Sequence, residues 1–254
     1  MDLGACIRRR KSFRQFRMDP LPQAELDGLV DYLSSLEPPA PDIDWNFDTL
    51  PYLDMVKLCE SEPGVKAPCY LLLRAKRVNF SLQNCGYLGE KAVLYLTGRD
   101  IATCWQGSVR VPSNQDFEGS LPFVTAVALG YSDEPFRADP AEADRKPLKK
   151  LAYNRVEAYT PLLELARLAP SSFNRQPCVF VSDDRQRIHL FRKQPFLNNP
   201  VVSFAQCVDA GAALAELECA AQSQGYSPRV TRVRPEPRFK TGLIYQATVE
   251  LSET

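Results

Sequence analysis

Two segments of this chain concentrate side chains suited to holding a small molecule. The first is Arg8-Arg9-Arg10-Lys11-Ser12-Phe13-Arg14-Gln15-Phe16, where cations are interleaved with a serine and two aromatic rings. Guanidinium groups grip phosphate through paired hydrogen bonds, and Ser12 adds a hydroxyl donor. Charge-assisted bonds of this kind contribute roughly 1.5–3 kcal/mol each. The run therefore predicts an anion site, with a solvated basic face as the plainer alternative. The second is Ala169-Pro170-Ser171-Ser172-Phe173-Asn174-Arg175-Gln176-Pro177. It gathers uncharged donors and acceptors between two prolines that restrict the backbone, which suits a polar, planar ligand. An ordinary polar turn is the alternative there.

Other chemistries find little support. No Walker loop, GxGxxG, GxSxG or HExxH occurs, and the one histidine is His189. It sits in an alternating segment, Arg187-Ile188-His189-Leu190-Phe191, which predicts a partly exposed strand histidine and disfavours hydrolase chemistry. Cysteines fall at 6, 59, 69, 85, 104, 178, 207 and 219, with no two within five residues. That spacing gives no zinc site and predicts reduced thiols, mostly buried as small hydrophobes. The 31 basic and 31 acidic side chains cancel, which argues against nucleic acid or an anionic membrane as partner. The longest mostly apolar run, Leu121 to Tyr131, is shorter than the roughly 20 residues of a membrane helix. Met1 to Cys6 turns basic at once, so no secretory signal is expected and a cytoplasmic location is.

These segments need elements to position them. Apolar content of 44% and charged content of 24% over 254 residues fit a globular chain of one large or two small domains. A short helix is expected over 2–10, an extended stretch over 11–16, and a helix opening at Pro22 with a stripe of Leu26, Leu29, Val30 and Leu33. Strands are expected around Ile43–Phe47 and Ala67–Leu73, the latter central because both faces are apolar. A buried helix over 82–98 carries Gly86 and Gly89, placed for close packing. An apolar strand runs from Phe123 to Leu129, and 135–147, rich in charge and proline, reads as a linker. Beyond it come a helix over 159–168, strands at 178–181 and 188–191, an alanine-rich helix from Val202 to Gln224 stopped by Gly225, and a strand from Ile244 to Leu251. The order of elements repeats, which predicts a fused duplication: a half at 1–140 and a half at 141–254 sharing one core.

The two chemical segments resemble the nitroreductase family of FMN-dependent oxidoreductases. Arg10-Lys11-Ser12-Phe13-Arg14-Gln15-Phe16 is similar to its N-terminal Arg-Arg-Ser-x-Arg-x-Phe pattern, and Ala169 to Pro177 matches its Ala-Pro-Ser-Ser-x-Asn-x-Gln-Pro loop. Thr103-Cys104-Trp105 with Gly107, Gly130-Tyr131, and Arg145-Lys146-Pro147-Leu148 resemble further family segments. The resemblance implies an α+β fold of two similar halves, with mixed, mainly antiparallel sheets flanked by helices. The serine loop lies in the second half, so the chain resembles a branch in which one polypeptide mimics the usual dimer, with one FMN per chain and a monomeric pseudo-dimer.

Carried over by residue, the resemblance places Arg10 and Ser12 on the FMN phosphate side, with Lys11 in the motif's second basic position. Arg14 falls beside the flavin N1/C2 oxygen, where negative charge develops on reduction. Pro170, Ser171, Ser172 and Asn174 form the partner-side loop, and Arg145 and Lys146 are late basic residues that help hold phosphate. The implied activity is NAD(P)H oxidation with reduction of a nitroaromatic, quinone or similar small electrophile. Two departures stand out. Asp100-Ile101-Ala102 replaces Gly-Leu-Gly, so a different local backbone is expected, and Cys178 replaces a tryptophan. They motivate the alternative of a flavin-binding or flavin-free relative without turnover, serving a sensing or structural role.

Overall fold

The computed structural model describes residues 1–112, 121–183, 185–232 and 241–253. Helix α1 (Leu3–Arg9) opens on Asp2, whose carboxylate accepts a hydrogen bond from the Ala5 amide, and closes on Arg8 and Arg9, a charge order that suits the helix dipole. Helix α2 (Gln23–Ser34) buries Leu29 and Leu33. Val30, expected on the same stripe, is 40% exposed, because the buried stripe is only two positions wide here.

The first sheet holds β1 (Trp45–Pro51), β2 (Cys69–Ala75), β3 (Ala102–Trp105) and β4 (Phe123–Gly130) in the order β1-β2-β4-β3, all antiparallel. A short helix, α3 (Tyr52–Leu58), follows β1, and α4 (Ser81–Thr97) covers the sheet. Strand β2 is buried along its whole length, as its two-sided apolar pattern requires. The second sheet holds β5 (Ala152–Tyr153), β6 (Cys178–Asp183), β7 (Arg187–Lys193), β8 (Tyr226–Thr231) and β9 (Leu243–Glu253) in the order β5-β6-β7-β9-β8. Only the β5–β6 pair is parallel. Helix α5 (Thr160–Ala166) precedes the serine loop, and α6 (Pro200–Ser223) runs through the centre. This is the expected α+β architecture of two mainly antiparallel sheets flanked by helices.

Helices α4 and α6 cross at backbone contact. A Cβ added at Gly86 would lie 2.0 Å from the Val208 carbonyl oxygen, and one at Gly211 would lie 2.0 Å from the Gln83 carbonyl oxygen. No residue larger than glycine fits at either position without moving a helix. The main apolar cluster draws together Leu73 of β2, Leu88 of α4, Leu163 of α5, Phe180 of β6, Leu214 of α6 and Val249 of β9.

The segment 135–147 is pinned rather than loose. Arg137 is buried and donates from its backbone to Arg9 O (3.1 Å) and from Nη1 to Arg8 O (3.2 Å). His189 also differs from expectation: it is 1% exposed. Strand β7 lies between β6 and β9 with both faces covered, so alternation gives no solvent-facing side. Its Nδ1 contacts Thr248 Oγ1 at 2.7 Å and its Nε2 contacts Asp183 Oδ2 at 3.2 Å, and burial holds its pKa below the usual value. All eight cysteines are free; six are buried, and Cys59 and Cys207 are partly so.

Candidate functional site

The serine loop is a strained corner stitched from both sides. Phe173, Asn174 and Gln176 all have left-handed backbone angles (φ 52°, 54° and 50°). Each such non-glycine residue costs on the order of 1 kcal/mol or more, so the surroundings must over-determine the turn. They do so with side chains. Ser171 Oγ accepts from the Gln176 amide (2.9 Å), and Gln176 Nε2 donates to Asn174 O and Oδ1 (both 3.1 Å). Asn174 Nδ2 donates to Asp144 O (2.9 Å), Arg145 Nη1 donates to Asn174 Oδ1 (3.0 Å), and the Lys146 amide donates to Gln176 Oε1 (2.6 Å). Asn174 and Arg145 thus bind each other, Lys146 binds Gln176, and together they shape the corner.

The N-terminal cations meet this corner at one carbonyl. Arg10 Nη2 and Arg145 Nη2 both donate to Leu168 O at 3.0 Å, two residues before Pro170. Arg10 is buried, with Nε 3.5 Å from Glu90 Oε1 and 3.6 Å from Glu216 Oε1. Both glutamates are fully buried, on α4 and α6. Burial, then the neighbouring Glu90 charge, push the Glu216 carboxyl well above its usual range. Among the described residues, neither Glu216 oxygen has a hydrogen-bond partner. A proton on Glu216 gives it a donor toward Glu90 and removes one uncompensated buried charge.

The other cations of the run are nearer the surface. Lys11 Nζ is 3.0 Å from Glu134 Oε2, Ser12 pairs with Thr103 in an isolated parallel bridge beside β3, and Arg14 is exposed. Asp100 keeps a left-handed angle (φ 58°) and pairs with Arg9 at 2.5 Å. Aspartate tolerates this region better than most residues, and Ala102, the second of the replaced positions, is in extended β3. Cys178 is buried at the start of β6, its thiol pushed up by burial.

A groove lies beside the serine loop. Trp105, Gly107 and Thr125 line it from the first sheet and the loop after β3; Pro170, Ser171 and Ser172 line it from the serine loop; and α6 contributes Phe204 and Asp209. Trp105 is held in place from behind. Its Nε1 donates to Glu90 Oε2 at 2.9 Å, and its ring packs where a Cβ on Gly89 would lie 2.4 Å from Cη2. Of the residues singled out by sequence, Pro170, Ser171 and Ser172 line the groove, Arg10, Arg145, Lys146 and Asn174 form the scaffold beside it, and Lys11, Ser12 and Arg14 lie along the neighbouring strand.

Sequence reasoning missed Asp209, Glu90 and Glu216. Asp209 is 6% exposed, and its Oδ1 accepts from the Ser172 amide (2.8 Å) and Ser172 Oγ (3.0 Å). Burial pushes its carboxyl up to about 7, against the opposing effect of the Ser172 donors. The available signal was an isolated acid inside an apolar helical run, Val208-Asp209-Ala210-Gly211, and likewise Glu90 and Glu216. Among the described residues no helix is long and apolar enough to cross a membrane, and no group of three or more His, Cys, Asp or Glu is placed to hold a metal.

The family model described as "Putative TM nitroreductase" matches residues 2–221. A solved structure described as "a putative nitroreductase" from Thermotoga maritima matches with a TM-score of 0.64 at 22% identity, over 99% of this chain and 93% of that one. An FMN-dependent nitroreductase from Clostridium difficile R20291 matches with a TM-score of 0.47 at 15% identity, over 59% of this chain and 98% of that one. Comparison with the curated proteins finds no match. With a family model that runs from the N-terminal helix through nearly all of α6, over a fold shared with the Thermotoga structure, the chain belongs to the nitroreductase family.

Proposed function

We propose that this protein is an FMN-dependent oxidoreductase that draws hydride from NAD(P)H and reduces a nitroaromatic, quinone or similar small electrophile. One FMN is held per chain, between halves 1–140 and 141–254 of a fused pseudo-dimer. The observation that carries this reading is the groove itself: Trp105 and Thr125 from one half face Ser171 and Ser172 from the other, beside the carbonyl on which Arg10 and Arg145 converge.

The residues present fit such a cofactor. Arg145 Nε is buried with no hydrogen-bond partner among the described residues. Burial first, and the Arg10 charge second, lower both Arg137 and Arg145 to about 10. A cluster of desolvated guanidinium groups of this kind is relieved by an anion, and the phosphate of FMN is one. In this reading Arg10, Lys11, Ser12, Arg145 and Lys146 serve the phosphate side. Pro170, Ser171, Ser172 and Asn174 form the wall against the ring, and Arg14 favours negative charge near the pyrimidine edge. Bound there, FMN supplies the hydride chemistry, which accounts for a site without a catalytic histidine. The chain's own residues orient and enclose: Trp105 closes one wall against water, and the stitched corner at 171–176 holds the Ser171 hydroxyl at a fixed position.

The test is a spectrum of the protein purified with and without added FMN, followed by anaerobic addition of NADH or NADPH. Uptake of a yellow chromophore that bleaches supports the reading. A protein that takes up no flavin overturns it, and one that binds flavin but never bleaches favours the non-turnover alternative.

A further inference from the structure

We propose that Asp209 is the proton donor to the electron acceptor reduced in the groove, an inference that rests on the oxidoreductase reading. Asp209 is the one ionisable side chain among the described residues that line the groove. Its two carboxyl oxygens differ. Oδ1 is held by the Ser172 amide and hydroxyl, whereas no described residue hydrogen-bonds to Oδ2. The side chain is buried, and Asp209 belongs to the groove wall.

The chemistry needs a proton at this place. Reduction of a quinone by NAD(P)H takes up one proton: NAD(P)H is oxidised to NAD(P)+, the quinone gains two electrons and becomes hydroquinone, and one hydroquinone O–H is formed with a proton from outside the hydride. As that bond forms, the Asp209 O–H bond breaks. The carboxylate left behind keeps the two Ser172 donors on Oδ1, and solvent returns the proton before the next cycle. The Ser172 contacts stabilise the conjugate base, which makes Asp209 a stronger acid than burial alone would leave. Few charges intervene. Arg175 of the loop is the cation that acts on Asp209; the Cys178 and Cys207 thiols are the titratable neighbours on β6 and α6, and Arg192 of β7 acts on those thiols. The faces of β3 and β4 toward the groove contribute Trp105 and Thr125, which do not titrate in this range.

The experiment compares the FMN-loaded protein with its Asp209→Asn variant. With benzoquinone as acceptor, the variant is expected to lose about 100-fold in rate, the lower end of the usual worth of a positioned acid. With ferricyanide, a one-electron acceptor that takes no proton, the loss should be much smaller, so the ratio of quinone to ferricyanide rate, rather than either rate alone, reports the missing proton. The wild-type quinone rate should fall as pH rises through about 7, where Asp209 loses its proton, and the variant should lose that dependence. Ser172→Ala removes a donor to the carboxylate, so it should move the midpoint upward. A readout independent of turnover is the carboxyl carbon resonance of Asp209 in flavin-free protein, which should titrate near the same pH. Equal quinone rates, an unchanged pH profile in Asp209→Asn, or equal losses with both acceptors overturn the assignment of Asp209 alone. A protein that takes up no FMN overturns the reading beneath it as well.

Discussion

Substituting Gly211→Ala tests the helix crossing that builds the groove. The added methyl would sit 2.0 Å from the Gln83 carbonyl oxygen and 2.7 Å from the Tyr87 amide nitrogen, against a floor of 3.0 Å for real contacts. Both obstacles are backbone, so no rotamer change relieves them and the helices must part by about an ångström. Overpacking in a close-packed interior costs roughly 1–3 kcal/mol and sometimes more. The gain in helix propensity from glycine to alanine returns about 1 kcal/mol. With rigid obstacles the cost lies at or above the top of its range, so a net loss of about 2–4 kcal/mol is expected. For a chain of this length that lowers the melting temperature by roughly 4–16 °C. Gly64→Ala is the control: the nearest atom to its added methyl is Ser108 Oγ at 3.5 Å, and a change within about 0.5 kcal/mol is expected. Thermal unfolding by circular dichroism reads both. A Gly211→Ala protein that melts with the wild type, or above it, would refute the close crossing. Val208, Asp209 and Ala212 lie within three residues of Gly211 and line the groove, so the same shift should weaken flavin uptake.

Glu216→Gln should be tolerated within about 1 kcal/mol, because burial and the neighbouring Glu90 charge favour the neutral form that the amide mimics. Its folded-state pKa is raised, so the native state binds more protons than the unfolded one above the ordinary value of 4.5, and wild-type stability falls as pH rises past it. Denaturant titrations across pH should show that slope flattened in Glu216→Gln; an unchanged slope counts against a protonated Glu216. His189 has the opposite sign. Its pKa lies below 6.5 because burial disfavours the cation, so its contribution to stability is lost as pH falls below that value. The chain has one histidine, so its imidazole proton resonance can be followed without assignment, and a midpoint at or above 6.5 would contradict the buried setting.

The local elements were largely legible. The apolar spacing in 82–98 and 202–224 announced α4 and α6, and the runs at 67–73, 123–129 and 188–191 announced β2, β4 and β7. Strands β3, β5 and β8 and helix α3 were not. Strand β8 carries Pro228, which demotes a strand signal and is tolerated because β8 is an edge strand. Helix α3 spans only Tyr52–Leu58 after Pro51, too short for periodicity to show. The serine loop was recognisable because its prolines, serines and asparagine have local consequences: they bond within the corner and to Asp144–Lys146. Asp209 was overlooked because a single acid in an alanine-rich helix says nothing about what faces it.

The amino-acid order by itself determined most of the helices and strands, where the polar corner at 171–176 falls, and that Gly86 and Gly89 are placed for close packing, because those properties depend on neighbours a few positions away. Only the tertiary structure decided the states of the charged groups. Arg10 looks like a free cation in sequence, yet it is buried against Glu90 and Glu216, 80 and 206 positions further along, and shares the Leu168 carbonyl with Arg145. Burial and charge pairing depend on distance in space, and helices α4 and α6 bring those side chains together only once the chain has folded.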